Sequence, residues 1–212
     1  MNSAWAKVLN DVRKIRKRLG CSHSAALFRG HNDSSWPLLP SLHRRVEGLR
    51  VEENLYYGFL MRGSRHLNRL NSSWMILTEM QHHGIPTRLL DWTEVFAVAL
   101  YFALYPKHDK PCIWVMNPFR LTAASVGERI VFTLGLDEIP DYQQAHLQQR
   151  QWPYDLPVAI EAPWVHDRLQ AQKGWFTVHG NDPRPIDESC KKYVQKVELP
   201  TEAIPGALEF LD

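Results

Sequence analysis

The sequence predicts an α+β fold: a single domain over residues 1–212, with a mixed or antiparallel central sheet flanked by helices. Helical and strand-like periodicities succeed one another without the regular alternation of a doubly wound sheet. No glycine-rich dinucleotide fingerprint appears. No internal repeat or low-complexity linker divides the 212 residues, a length that suits one large domain with a sizeable core. With 44% hydrophobic and 23% charged residues, the chain groups with ordinary globular proteins.

Each element follows from its local pattern. Trp5, Val8, Leu9, Val12, Ile15 and Leu19 recur at helical spacing before Gly20, which predicts an amphipathic helix over residues 1–20 packed on the domain. Ala25 to Gly30 reads as a short buried strand. The next segment, HNDSSWPLLPSLHRR, is rich in turn residues and has no period. Val51 to Leu70 returns to helical spacing, and Ser73 is placed as the cap of a helix ending at His82. Gly84 stops that helix, and Ile85 to Trp92 reads as a strand entered through Pro86. Phe96 to Leu104 is apolar nearly all round, as a buried helix is. Cys112 to Met116 is a central strand stopped by Asn117-Pro118. The polar stretch Asp137 to Gln151 reads as a helix or an ordered insertion. Val158 to Ile160, Phe176 to His179 and Tyr193 to Leu199 read as strands, and Trp164 to Gln172 as a helix.

Charge and cysteine usage narrow the function classes. The net charge of +2 gives no case for nucleic acid from bulk charge. The basic run Arg13, Lys14, Arg16, Lys17, Arg18 reads first as a solvated helix face and second as a polyanion contact. Cys21, Cys112 and Cys190 are far apart and lack metal-ligand spacing, which suits a reducing, cytoplasmic setting. No basic start with an apolar run suggests a signal peptide, and the most apolar window, Val95 to Tyr105, is too short to span a bilayer. A membrane partner is therefore not expected.

Polar groups inside apolar runs mark the candidate site. Arg29 follows Leu27-Phe28 at a buried strand end, where its planar fork suits phosphate or carboxylate. Its partner is either a ligand anion, which Gly30 would let approach the backbone, or an internal carboxylate such as Asp91. Trp36 to Arg44 is either packing or a ligand-covering loop. Along the strand from Thr87, the residues Thr87, Leu89, Asp91 and Thr93 share one face, and Arg88, Leu90 and Trp92 share the other. Asp91 either lines a cleft, caps the following helix, or binds Arg29. His82 and His83 are adjacent on a helix and should point apart. Even with Glu79 one turn away, no metal site is expected. No nucleophile elbow, phosphate-binding glycine loop or zinc-protease motif occurs.

Together these pieces resemble a known family. They are Leu27-Phe28-Arg29-Gly30, Trp36 to Arg44, Gln81 to Thr93 (QHHGIPTRLLDWT), Ala99 to Ala103, Ile113-Trp114-Val115, and Gln172 to Thr177. The chain resembles the FRG domain family, named for a Phe-Arg-Gly signature. A more distant resemblance is to the Arg-Ser-Glu ADP-ribosyltransferases. Leu27-Phe28-Arg29-Gly30 is similar to their first signature, whose arginine contacts NAD near its phosphates. Asp91-Trp92-Thr93, followed by Ala99 and Phe102-Ala103, holds the place of their Ser-Thr-Ser strand and the helix after it. Their late catalytic glutamate corresponds to a region that offers Gln172 here, or Glu161 upstream. A neutral amide stabilises a developing cation less well than a carboxylate.

The resemblance implies an ADP-ribosyltransferase-like fold and an enzyme that uses NAD to modify a nucleic-acid or protein acceptor. Arg29 would anchor the pyrophosphate, Thr93 would orient a ribose, and Trp92, Tyr101 or Trp175 would stack on nicotinamide. Gly30, His31, His83 and Thr87 would complete the NAD contacts. Asp91 is either a ribose contact or the brace for Arg29. The competing expectations are a non-catalytic nucleotide or nucleic-acid binding module and a structural interaction domain.

Overall fold

The computed structural model describes residues 3–21, 26–63, 72–106, 109–135, 139–161 and 173–212. It is an α+β fold built on one seven-stranded mixed sheet, ordered β4-β5-β6-β2-β1-β3-β7. The strands are β1 (Leu27–His31), β2 (Leu89–Thr93), β3 (Cys112–Met116), β4 (Phe132–Thr133), β5 (Val158–Glu161), β6 (Gly174–Val178) and β7 (Val194–Glu198). Only β4 and β5 pair in parallel; every other neighbouring pair is antiparallel.

The longer helices among the described residues are α1 (Ser3–Arg18), α2 (Glu52–Gly63), α3 (Ser73–His82), α4 (Phe96–Leu104), α5 (Pro118–Val126) and α6 (Ile204–Leu211). Strand alternation sends side chains to opposite faces, so each face collects its own core. Phe28, Ile113, Val115 and Val197 pack under α1, α4 and α6, with Trp5, Val8, Leu100 and Ala103. Farther along the same face, Leu89, Ile160, Phe176 and Val178 meet α2 and α3 through Tyr56, Trp74 and Leu77. The opposite face carries Leu27, Leu90, Trp92, Trp114 and Met116 against Leu38, Leu121 and Ile186.

The helix expected over residues 1–20 is seen as α1, Ser3–Arg18, with Trp5, Val8, Val12 and Ile15 buried. Several elements differ from the sequence reading or sharpen it. Ser72, not Ser73, caps α3 by accepting from Met75 N, while the Ser73 hydroxyl turns to Asp141. The strand expected from Ile85 begins only at Leu89. Pro86 has no N–H to give a ladder, and the Thr87 backbone is spent on the loop: Leu42 N donates to Thr87 O and Thr87 N to Ser41 Oγ. Asn117-Pro118 does more than stop β3. Asn117 caps α5 by accepting from Arg120 N, and Pro118 takes its first turn. Within the polar stretch read as a helix or an ordered insertion, Gln143–Gln148 form a short π-helix. The far part of the helix expected to Leu70 and the helix expected over Trp164 to Gln172 lie outside the described residues.

No helix among the described residues is long and apolar enough to cross a membrane. The three cysteines are free and buried.

Candidate functional site

The sheet forks between β1 and β2. These strands pair at one register position, Phe28 with Thr93, whereas β1 and β3 pair over five. Beyond Phe28 the two strands part, and a cleft of about 680 Å³ opens beside the fork. Its walls come from both faces: Thr93, Asp91 and Phe102 on one side, His31 and Trp36 on the other. The volume is in the range of small-molecule sites.

Arg29 bridges the fork. Its Nη1 donates to the Asp91 carbonyl oxygen at 2.7 Å, and its Nε donates to His31 Nε2 at 3.0 Å. An arginine N–H can only donate, so His31 Nε2 must be unprotonated. Burial, and then the Arg29 charge, push the His31 pKa down to about 3, which keeps the ring neutral and accepting. Nη2 of Arg29 makes no hydrogen bond among the described residues. The Arg29 side chain is only 20% exposed, so this spare donor group is held in place within the cleft wall.

Asp91 answers the question of its partner in two halves. Its backbone carbonyl serves Arg29, while its carboxylate Oδ2 stays 3.7 Å from Nη1 and its side chain is 55% exposed. Gln81 Nε2 donates to that Oδ2 at 2.8 Å. Thr87 Oγ1 in turn donates to Gln81 Oε1 at 2.5 Å and accepts from Leu89 N at 3.1 Å. Asp91 does not cap α4; the Thr93 hydroxyl accepts from Val95 N at the start of that helix.

Gly30 has a packing role that the sequence did not suggest. A Cβ there would stand 2.0 Å from Ala99 O and 2.5 Å from Ala103 N. Its missing side chain lets α4 lie directly on β1, and Gly30 also lines the cleft.

The structure gathers Arg29, Gly30, His31, Asp91, Trp92 and Thr93 on the cleft. It leaves Thr87, His83, Tyr101, Trp175 and Glu161 off the cleft lining. Thr87 is 1% exposed and acts only through Gln81. Trp92 lines the cleft but is 3% exposed and donates its indole N–H to Thr177, so it is no free stacking face. Trp175 donates to Glu94 at 2.9 Å. Its strand neighbour Glu161 has a carboxyl raised by burial and by the Glu94 charge. Gln172 lies outside the described residues. Sequence reasoning missed Gln81, Asn32, Phe102 and Tyr105 on the cleft, and it set His82 aside. Trp36 and Arg44, the ends of the suspected covering loop, do reach the cleft.

His82 and His83 do not point apart. His83 is the C-cap residue of α3, and Glu79 lies one turn before both. The ligand atoms of Glu79, His82 and His83 lie within 4.8 Å of one another, so this trio is the group among the described residues that could hold a metal ion. His83 Nε2 already sits 3.0 Å from Glu79 Oε1.

A second, closed polar cluster stands behind the site. Arg88 grips Glu52 with Nε at 2.6 Å and Nη2 at 2.5 Å, and Tyr142 donates to the same carboxylate at 2.6 Å. Burial alone would lower the Arg88 pKa; the Glu52 hydrogen bonds hold it above its ordinary value. The neighbouring His43 and His179 rings lie 4.8 Å apart, with the His179 pKa at about 3 and the His43 pKa at about 4, both chiefly through burial.

Comparison with curated proteins and with solved structures returns no match. A family model does match, and its segment ends before β3, short of the pieces at 113–115 and 172–177 that the resemblance also used. Every residue on the cleft except Phe176 falls inside that segment. Residues 24–111 match the model of the FRG domain.

Proposed function

We propose that the cleft binds a nucleotide and that the protein is an ADP-ribosyltransferase-like enzyme using NAD to modify a nucleic-acid or protein acceptor. One observation carries this reading: a mostly buried arginine with a spare Nη2 faces a cleft beside a half-exposed carboxylate. Arg29 anchors the pyrophosphate through charge-assisted hydrogen bonds. Neutral His31 and the Asp91 carbonyl hold the guanidinium in its orientation.

The bond between the ribose C1′ and nicotinamide breaks, its electron pair leaves with nicotinamide, and positive charge builds on the ribose. The Asp91 carboxylate stabilises that charge electrostatically. An acceptor nucleophile then bonds to C1′ and gives up its proton. Trp36, Phe102 and Tyr105 take over the stacking role expected of Trp92, Tyr101 and Trp175, since they line the cleft. The buried free cysteines are consistent with a reducing, cytoplasmic setting.

The test is nicotinamide release from NAD, with nucleic-acid and protein acceptors supplied. Release by the wild type, lost in Asp91→Asn while NAD still binds, supports the enzyme. A second reading is a non-catalytic nucleotide-binding module. It is favoured by the fact that Asp91 is the sole carboxylate on the cleft among the described residues, with Glu161 off the cleft. Saturable NAD binding with no nicotinamide release under any acceptor selects that second reading.

A further inference from the structure

Arg29 and Asp91 raise a physical problem. Opposite charges 3.7 Å apart in a partly buried place attract strongly, and a small turn of the Asp91 side chain would close them into direct contact. A closed pair would spend the guanidinium on the protein's own carboxylate, leaving neither charge for a ligand. Something must hold the carboxylate back.

We infer that Gln81 is a positioning residue that keeps Asp91 off Arg29, so that the cleft presents an anion anchor and a carboxylate side by side. The hydrogen bonds fix the geometry without ambiguity. A carboxylate only accepts, so the amide must turn Nε2 toward Asp91 Oδ2 and Oε1 away from it. The Thr87 hydroxyl accepts from Leu89 N, which directs its proton to Gln81 Oε1. Thr87 is 1% exposed and tied to the loop through Ser41 and Leu42, so the relay starts from a fixed point. The relay runs from that loop through Thr87 and Gln81 to Asp91. It makes the cleft a dipolar site, suited to a ligand with a phosphate near a centre of positive charge. That last step rests on the nucleotide reading above; the spacer role does not.

The experiment compares the wild type, Gln81→Met and Gln81→Met/Asp91→Asn. Methionine keeps the length of the side chain and removes its amide. A crystal structure of Gln81→Met is expected to show the Asp91 carboxylate in direct contact with Arg29. Titration with inorganic pyrophosphate is expected to show affinity about tenfold weaker in Gln81→Met. In the double variant it should be restored, because the carboxylate that captured Arg29 has lost its charge. A merely structural role predicts that the double variant is no better than the single one, and that result overturns the inference. So does an Asp91 that stays at its wild-type separation in Gln81→Met. If the wild type binds no pyrophosphate, the nucleotide reading falls, and the variant's crystal structure still decides the spacer role.

Discussion

Two arginine–carboxylate pairs meet the same stretch of chain, three residues apart, and they are built in opposite ways. Arg88 and Glu52 form a two-pronged pair in which both side chains are 6% exposed, and Tyr142 fills a further position on the carboxylate. Arg29 and Asp91 stand 3.7 Å apart at 20% and 55% exposure, with Gln81 between the carboxylate and closure. A closed pair satisfies its own charges, and removing one partner strands the other without solvent. An open pair is poorer as a structural device and better as a receptor. On the proposed reading, the cleft rather than the Arg88 cluster is the place where a ligand meets charge.

The comparison can be broken most forcefully at Glu52. Glu52→Gln leaves Arg88 buried against a neutral amide, and urea unfolding should show a loss of about 3–5 kcal/mol. A change within experimental error would mean that the pair is not the structural anchor described here. Next comes the wall of the fork. Gly30→Ala drives a Cβ into the α4 backbone, and a loss of about 3 kcal/mol is expected in the same measurement.

The third prediction separates the closed region by pH. Folding lowers the pKa values of His43, of His179 and of His146, whose ring stands 5.1 Å from that of Tyr142, to about 4, about 3 and about 2, from the ordinary 6.5. The unfolded chain therefore binds protons first as pH falls. Their contribution is full above 6.5 and is lost progressively as pH falls below it toward the folded values. At pH 5, His179→Phe should suffer about 2 kcal/mol less of this acid destabilisation than the wild type, read as the difference between urea unfolding at pH 7 and at pH 5. Equal pH dependence in the two proteins would show that His179 is not held neutral. The smallest effect belongs to the open pair: Arg29→Ala should cost only about 1 kcal/mol of stability. A loss as large as that of Glu52→Gln would erase the contrast between the pairs.

Much of this contrast was legible in the sequence, though unevenly. Arg29 stood out because a guanidinium at the end of Ala-Ala-Leu-Phe needs a partner, and Asp91 because it interrupts an apolar strand. Alternation placed Asp91 and Thr93 on one face, and both do line the cleft. The same alternation failed for Thr87, because the strand starts two residues later and the loop takes its backbone. Gln81 gave no local sign, since a glutamine in the last turn of a helix is ordinary. Its role exists only once α3 and β2 are packed together. Glu52 reads as a normal first-turn acid, yet the fold buries it under Arg88. Helix α5 was readable in principle: an asparagine followed by proline starts helices as well as ending strands. Gly30 was rightly singled out, but its reason lies in a helix 69 residues farther along the chain, at Ala99.

The central claim is that Arg29 is a ligand anchor rather than a structural arginine. It is tested most directly by isothermal titration of NAD into the wild type and Arg29→Ala, with urea unfolding of both as the control. The account predicts saturable binding at one site in the wild type and its loss in a variant that remains folded. Binding of equal strength in Arg29→Ala, or none in the wild type, would contradict it.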